Sequence, residues 1–256
     1  YPGLYTYKYP VPGKQNAKVK VLSYDIKSHR TRTIDLPLDA DGYIPRIKMT
    51  NDQTRIMIFT LNRHQDDLKI YMANTLSTVA KLIIEDKIDK YVKEETFEDV
   101  QISDKYILLP SERDGYNHLY LYNHNGQQLR QIVNDRYVVK QVYGVDDATG
   151  DVYFAANPTG ATEQQVMVAH QNGKIETLTQ KAGVSNAIFS TNFKYFIHIW
   201  SDLDNPLQYT LCQNNGKALQ TLIDNHELKA RLAKFDLGKK ELFQFKTSEG
   251  VALNGW

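Results

Sequence analysis

Serine and histidine are the residues of this sequence that could supply nucleophilic catalysis, but neither occurs in a known catalytic motif. The serine nucleophile of an α/β-hydrolase lies in a Gly-x-Ser-x-Gly turn, because the strained turn after a strand admits only small neighbours. The nearest approach is Gly183-Val184-Ser185-Asn186-Ala187, which lacks the second glycine and leads into a predicted strand. We therefore predict no catalytic residue in this chain.

The histidines are scattered along the chain. The seven are His29, His64, His118, His124, His170, His198 and His226. A zinc site needs several ligands close together, so we predict no metal site. His198 lies in an apolar run, and we interpret it as a hydrogen-bonded strand residue. Glycine-rich nucleotide loops and the His-Glu-x-x-His motif are absent from the sequence, so we predict no cofactor.

Adjacent carboxylates at Glu94 and Glu95 could bind the ammonium group of a substrate. They stand at the start of a predicted strand, where a solvated loop is the favoured interpretation. They remain weak candidates for substrate binding, because a loop at this place could still face a substrate cavity. Arg113 and Asp114 precede Gly115 and are interpreted as a turn tied by the Asp114 side chain.

Charge and composition exclude several classes of function. The 256 residues carry 31 basic and 30 acidic side chains, a formal net charge of +1, whereas nucleic-acid binders gather a basic surplus on one face. No run approaches the roughly 20 apolar residues of a membrane helix. The single Cys212 excludes an intrachain disulfide and is interpreted as a small buried thiol. We predict no nucleic-acid partner and no membrane span.

The elements that must position these residues recur along the chain. Three segments read as a strand, an Asn-Gly turn and a second strand, with turns at Asn125-Gly126, Asn172-Gly173 and Asn215-Gly216. Asn-Gly suits a two-residue hairpin turn, since both positions need positive φ. The repeat is marked by the equivalent positions Val21, Ile70, Leu119, Val166 and Tyr209. Their spacings of 49, 49, 47 and 43 residues match the ~40–50 of four-stranded propeller blades.

We therefore predict an all-β fold, a partial β-propeller of about four to five four-stranded antiparallel blades with a short C-terminal helix and hairpin. A β-sandwich is the alternative, but it does not require this repeat. The predicted parts are an arm at 1–16, a half blade at 17–37 and blades at about 42–84, 97–134, 138–179 and 184–223. The propeller thus ends near 224, and a linker helix with Asn225 as N-cap begins the segment 225–256.

Three segments resemble the dipeptidyl peptidase IV family. Ser111–Tyr120 is similar to a hallmark of that family, and Tyr7–Asn16 resembles its Tyr-Pro-Lys-Ala-Gly run. Glu241–Trp256 is similar to the segment that enters the family's hydrolase domain. The departures are small: Pro12 stands where the family usually has Ala, and Ala17 where it usually has Pro. The three segments occur in the family's order, so the resemblance covers essentially the whole chain.

The resemblance implies an eight-bladed propeller joined to an α/β-hydrolase domain, in a serine peptidase that releases N-terminal dipeptides with Pro or Ala second. The family's catalytic Ser, Asp and His would lie beyond Trp256, and its Glu-Glu pair before Tyr1. We therefore expect this chain to be inactive by itself and to gate and position peptides in the parent. The alternatives are a stand-alone binding scaffold and, less favoured, an exopeptidase within this chain.

The resemblance also implies partners and a compartment. The partners are a peptide substrate, the parent's own hydrolase domain, whose first residues fall in 225–256, and a second subunit contacted by the arm 1–16. The family's relatives in Gram-negative bacteria are exported, so a periplasmic or exported location is expected. Because about four blades cannot close a ring of eight, we expect the isolated piece to associate through exposed flanks.

Overall fold

The fold is all-β, which confirms the predicted fold class. The computed structural model describes residues 3–9 and 11–256, and these form four sheets of four antiparallel strands, two two-stranded sheets and two short helices. Tyr1, Pro2 and Pro10 of the predicted arm lie outside the described residues. The chain divides into two compact units, Tyr1–Glu98 with His124–Gln127 and Asp99–Asn123 with Gln128–Trp256.

The first unit holds one two-stranded and one four-stranded sheet. Its elements are β1 (Leu22–Asp25), β2 (Arg30–Thr33), β3 (Tyr43–Met49), β4 (Arg55–Leu61), β5 (Asp67–Asn74), β6 (Ala80–Lys87) and α1 (Glu94–Glu98). β1 pairs with β2, and the other sheet has the order β3-β4-β5-β6. Strands that follow one another in sequence are thus neighbours in the sheet, as in a propeller blade.

The second unit holds three further four-stranded sheets and the C-terminal elements. These are β7 (Gln101–Ile102), β8 (Tyr106–Ser111), β9 (His118–Asn123), β10 (Gln128–Gln131), β11 (Val139–Val145), β12 (Val152–Ala156), β13 (Gln165–Ala169), β14 (Ile175–Thr177), β15 (Val184–Phe189), β16 (Tyr195–Ser201), β17 (Gln208–Gln213), β18 (Ala218–Ile223), α2 (His226–Leu232), β19 (Phe243–Lys246) and β20 (Ala252–Gly255). Each four-stranded sheet again follows sequence order, and β19 pairs with β20.

The middle strands of the four-stranded sheets are the most buried, except in the sheet of β15 to β18, where they are mostly half-buried. All residues of β12 and β13, two middle strands, are buried, whereas every residue of the outer strand β18 is exposed. A strand that is buried along its whole length is covered on both faces. Phe154 and Val152 of β12 pack in one apolar cluster with Leu119 and Val139, while Tyr153 packs in another with Phe196.

The three predicted hairpins are present, but Asn125, Asn172 and Asn215 lack the positive φ that was predicted for both residues of a two-residue turn. Gly126, Gly173 and Gly216 have φ values of 85°, 88° and 83°, a region that L residues with a side chain rarely adopt. Gly126 also lies so close to the carbonyl group of Ile83 that a Cβ would collide with it, and Gly216 lies in the same way against Leu178. These two glycines are therefore required both by the turn and by the contact.

The predicted first strand at Phe97–Ile102 is wrong in its first half. Residues Glu94–Glu98 form the helix α1, and only Gln101–Ile102 remain a strand. The side chains of Thr96 and Phe97 are buried. A single helical turn buries these neighbouring residues together, whereas a strand would point them to opposite faces. Glu94 and Glu95 are consequently the first residues of a helix.

The predicted C-terminal helix and hairpin are present, but Asn225 does not cap the helix as expected. Asn225 adopts a left-handed conformation with φ 55° and makes no side-chain capping bond; its Nδ2 instead donates to the backbone oxygen of Leu207 at 2.5 Å. The helix ends at Leu232, so Phe235 lies outside it, and none of its residues is buried. The domain boundary near residue 224 stays a prediction.

Candidate functional site

The structure brings together one serine and one histidine of the sequence analysis. Ser185 lies on β15 opposite Trp200, and His198 lies on β16 opposite Ala187. The two side chains are therefore diagonal neighbours on one face of the sheet. Ser185 Oγ and His198 Nε2 are hydrogen-bonded at 2.9 Å. This contact was missed in the sequence, because it depends on the register between two strands.

The environment of the pair gives it a structural role. Ser185 is completely buried, with 0% exposure, so a substrate carbonyl cannot reach its Oγ. It lies within a regular strand, not in the strained turn that presents a hydrolase nucleophile. Burial and, second, the charge of Lys181 lower the pKa of His198 to about 4, which makes it a weak base at neutral pH. In the described residues, no hydrogen bond joins His198 to a carboxylate.

Lys181 and Trp200 cover the same edge of this sheet. Lys181 Nζ lies 3.0 Å from the centroid of the Trp200 ring, a cation–π contact, and it donates to Gln208 Oε1 at 3.2 Å. Trp200 Nε1 donates to the backbone oxygen of Ala182 at 2.8 Å. These contacts fix the cation near His198, where its charge opposes protonation of the imidazole.

The two carboxylates of the predicted pair, Glu94 and Glu95, lie on the same helix but differ in their position relative to a cavity. Glu94 lines a cavity of about 330 Å³ in the first unit, whereas Glu95 does not reach it. The apolar part of the lining includes Val19, Ile44, Pro45, Leu61, Val92 and Phe97, and the polar part includes Asn16, Tyr43 and Gln65. A mainly apolar cavity with one carboxylate suits a group that is apolar along its length and cationic at its end.

The helix α1 is held against the inner strand β3. The guanidinium of Arg46 forms an ion pair with the carboxylate of Glu98, and Lys48 Nζ donates to the backbone oxygen of Glu98. Buried Phe97 anchors the middle of the helix. The first turn of α1, with Glu94, is therefore positioned by three contacts made further along the same short helix.

The segment Ser111–Tyr120, which resembles a hallmark of the family, contains the buried His118. His118 Nδ1 contacts Asp114 Oδ2 at 2.7 Å, and Nε2 contacts the backbone oxygens of Asp135 at 2.9 Å and Tyr137 at 3.1 Å. Gln131 Nε2 donates to the same Asp114 oxygen at 2.6 Å. Both ring nitrogens thus face oxygen acceptors. Asp114 ties this loop mainly to His118, while its bond from the Tyr116 amide is long, at 3.4 Å.

Hydrogen bonding keeps the Asp114 carboxylate ionised. Burial raises its pKa, but hydrogen bonds, led by the one from His118, outweigh that effect, and the pKa of Asp114 lies below its ordinary value. Neighbouring Arg113 stacks its guanidinium 4.1 Å from the Tyr120 ring centroid and donates from Nη1 to Tyr122 Oη at 2.9 Å. The charged residues of the segment therefore bind one another and the core, which indicates a structural function.

The described residues offer neither a metal site nor a membrane-spanning helix. Within residues 3–9 and 11–256, no group of three or more His, Cys, Asp or Glu side chains is placed to hold a metal ion. Neither helix of this part is long and apolar enough to cross a membrane. Cys212 is buried, and burial raises the pKa of its thiol, so it is a poor nucleophile.

Comparison with known proteins assigns the sheets to a family. Residues 1–207 match the family model of the dipeptidyl peptidase IV N-terminal region. The probable dipeptidyl peptidase 4 of Aspergillus flavus is 24% identical over 269 residues, which cover 99% of this chain and 35% of that protein. The probable dipeptidyl-aminopeptidase B of Aspergillus oryzae is 24% identical over 286 residues, which cover 99% of this chain and 30% of that protein.

A solved structure gives the same assignment. The crystal structure of dipeptidyl peptidase 4 from Porphyromonas gingivalis is similar with a TM-score of 0.92 and 34% sequence identity, over 98% of this chain and 36% of that one. The match confirms the β-propeller over the β-sandwich. This chain spans about a third of the length of the relatives that it matches. From the match over residues 1–207 and the shared fold, this chain belongs to the dipeptidyl peptidase IV N-terminal region family.

Proposed function

We propose that this chain is the non-catalytic β-propeller portion of a dipeptidyl-peptidase-IV-like serine peptidase. In that parent it gates access to the active site and positions peptides for release of N-terminal X-Pro or X-Ala dipeptides. The observation that carries the proposal is the family match over residues 1–207 in a chain that spans about a third of its relatives. The remaining length of such a relative has room for a hydrolase domain.

The buried state of the Ser185–His198 pair supports the non-catalytic assignment. A peptidase needs an accessible serine, a base of suitable pKa and a group that orients the base. Ser185 is inaccessible, and the pKa of His198 is lowered to about 4. In the proposed parent, the catalytic Ser, Asp and His belong to an α/β-hydrolase domain that begins within 225–256.

Exposed apolar residues support the idea that 225–256 packs on another part of the parent. Phe235, Leu237, Phe243 and Trp256 are all exposed. Large apolar side chains that cluster at a surface mark an interface. The hydrolase domain of the same polypeptide is the partner that we propose for them.

Glu94 is the substrate-contacting residue that the geometry favours. Glu94 lines the cavity described above, whereas Glu95 does not. We propose that the cavity accepts a cationic group of the peptide, with the ammonium or guanidinium at Glu94 and the apolar stem against Val19, Ile44 and Phe97. Gating then consists of selecting which peptides reach the hydrolase domain.

The arm 1–16 is proposed to bind a second subunit. Its described part presents Leu4, Tyr5, Tyr7 and Tyr9, all exposed. Aromatic residues supply much of the binding energy of protein interfaces, so this stripe supports a homodimer. A periplasmic or exported location is proposed on the family resemblance alone.

The test compares the parent protein with this chain on a Gly-Pro chromogenic substrate. We expect the parent to release the chromophore and this chain to release none, at equal molar concentration. A parent whose sequence after Trp256 contains no Gly-x-Ser-x-Gly, and which has no activity, would support a stand-alone binding scaffold. Turnover by this chain that disappears in Ser185→Ala would support an exopeptidase within it.

A further inference from the structure

Two of the hairpin turns have the same local sequence. Both read Asn-Gly-Lys, at Asn172-Gly173-Lys174 and Asn215-Gly216-Lys217. Their glycines have nearly equal conformations, with φ values of 88° and 83°. An asparagine before glycine is chemically labile, because glycine has no side chain to hinder attack of its backbone nitrogen on the asparagine side chain. The two sites therefore have the same intrinsic reactivity.

The hydrogen bonds within the two turns are also matched. Asn172 Oδ1 accepts from the backbone N–H of Lys174 at 2.9 Å, and the equivalent bond of Asn215 is 3.0 Å long. Each glycine N–H donates to the backbone oxygen three residues earlier, at 2.9 Å in both turns. Any difference in reactivity must come from what surrounds the turns.

The surroundings of the two glycines differ. Gly173 is exposed, and no heavy atom outside the turn lies within 4 Å of the position that its Cβ would occupy. Gly216 is half-buried against the carbonyl group of Leu178, in the segment that follows β14. The turn at Gly216 thus packs against a neighbouring segment, and the turn at Gly173 is open to solvent on that side.

We propose that Asn172 is a site of spontaneous deamidation, and that packing protects Asn215 from the same reaction. The backbone nitrogen of Gly173 loses its proton to water or hydroxide and attacks Cγ of Asn172. The bond between Cγ and the side-chain nitrogen breaks, ammonia is released, and a cyclic succinimide forms. Water then adds to either ring carbonyl and opens the ring to Asp or isoaspartate. Water is the only co-reactant, and nothing is oxidised or reduced.

The reaction requires the turn to open. The Gly173 nitrogen must release its bond to the His170 oxygen, and the backbone between Asn172 and Gly173 must rotate until the nitrogen faces Cγ. Each turn is tied to a neighbouring segment just before its asparagine, by the Gln171 N–H to Asp151 Oδ1 and by the Asn214 N–H to the Lys194 oxygen, both at 3.1 Å, and the His170 oxygen also accepts from Arg130 Nη1. At Gly173 itself no atom outside the turn lies within 4 Å of the Cβ position. At Gly216 the same rotation must also break the contact with Leu178, so the reactive conformation is reached less often.

The products would differ in their effect on the hairpin. Aspartate at position 172 keeps the side-chain oxygen that accepts from Lys174. Isoaspartate adds one carbon to the backbone of the turn between β13 and β14, which lengthens a connection that the Ala169–Ile175 pairing requires to be short. Accumulated isoaspartate is therefore expected to loosen the outer strand β14.

The experiment follows both sites in one sample of this chain. The folded protein is incubated in mildly alkaline buffer, digested under mildly acidic conditions, and analysed by liquid chromatography and mass spectrometry for Asp and isoaspartate at each asparagine. We expect the rate at Asn172 to exceed that at Asn215 by about fivefold, the factor that corresponds to a restriction of ~1 kcal/mol on one backbone residue. Equal rates, or a faster rate at Asn215, would overturn the proposal.

Two controls separate packing from sequence. In concentrated urea the two rates should converge, since the contact of Gly216 is lost and both sites have the sequence Asn-Gly-Lys. A fivefold difference in rate that persists in urea would mean that sequence, and not packing, makes Asn172 react faster than Asn215, and would refute the proposal. Asn172→Gln, whose longer side chain cyclises far more slowly, should remove the signal at position 172 and leave the rate at Asn215 unchanged.

Discussion

The hydrogen bond between Ser185 and His198 lies inside a sheet, where burial and Lys181 keep the imidazole neutral. The pKa of His198 is lowered to about 4 in the folded chain, against about 6.5 in an unfolded one. As the pH falls below the unfolded value, the unfolded state therefore takes up a proton that the folded state refuses. The stability that neutral His198 contributes is present above that pH and is lost as the pH falls toward 4.

Replacement of this histidine should reduce the acid sensitivity of the fold. The difference in unfolding free energy between pH 7 and pH 4.5, measured by urea titration, should be smaller by about 2 kcal/mol in His198→Gln than in the unchanged chain. Carboxylates titrate equally in both proteins and cancel in this comparison. His64→Gln, at an exposed histidine in a turn of the first unit, is the matched control and should keep the original difference. An unchanged pH dependence in His198→Gln would refute the assignment.

Glu94 and Glu95 allow an equally direct comparison, because only the first lines the cavity. In the parent enzyme, Glu94→Gln should raise KM for peptides that place a cation in this cavity by about tenfold, as expected for loss of one charge-assisted hydrogen bond, with little change in kcat. Glu95→Gln should leave both constants unchanged. Steady-state kinetics with the two variants makes the test, and equal effects of both would contradict the proposed contact.

Among the structural elements, two hairpin glycines allow the stability cost of the turn conformation to be measured apart from the cost of a packing contact. Gly173→Ala and Gly216→Ala both place a side chain at positive φ, which costs about 1 kcal/mol in each variant. Only at Gly216 does the new Cβ also meet the Leu178 carbonyl. We expect Gly216→Ala to lower the unfolding free energy by about 1–3 kcal/mol more than Gly173→Ala does. Equal losses in denaturant titrations would show that the packing contact contributes nothing.

Some of these elements could be predicted from the sequence, and others could not. The hairpins were predictable, because Asn-Gly marks each turn and a fixed spacing repeats it, although only the glycine has the positive φ that was predicted for both residues. The helix α1 was not, since it depends on burial of Thr96 and Phe97, which only the tertiary structure supplies. The sequence contains one sign of the Asp114–His118 contact, an acidic residue four positions before a histidine. The backbone oxygens of Asp135 and Tyr137, which contact the other ring nitrogen of His118, come from a distant loop and could not be predicted.

In the whole molecule, the exposed aromatic and apolar residues are the basis of the packing surfaces that we propose for the parent. The arm presents Tyr5, Tyr7 and Tyr9 to solvent. Deletion of residues 1–16 from the parent should weaken its dimer, as seen by sedimentation at decreasing protein concentration. Tyr5→Ser with Tyr7→Ser and Tyr9→Ser should have the same effect while keeping the length of the arm. An unchanged dimer in both variants would contradict the proposed interface.

In the proposed function, this chain supplies walls and contacts, and the reactive serine lies elsewhere in the parent. A fluorophosphonate probe labels the activated serine of a serine hydrolase, and peptide mapping locates the label. In the full-length parent, we predict one labelled serine beyond Trp256 and no label within residues 1–256. Label on Ser185, or on any other serine of this chain, would contradict the account.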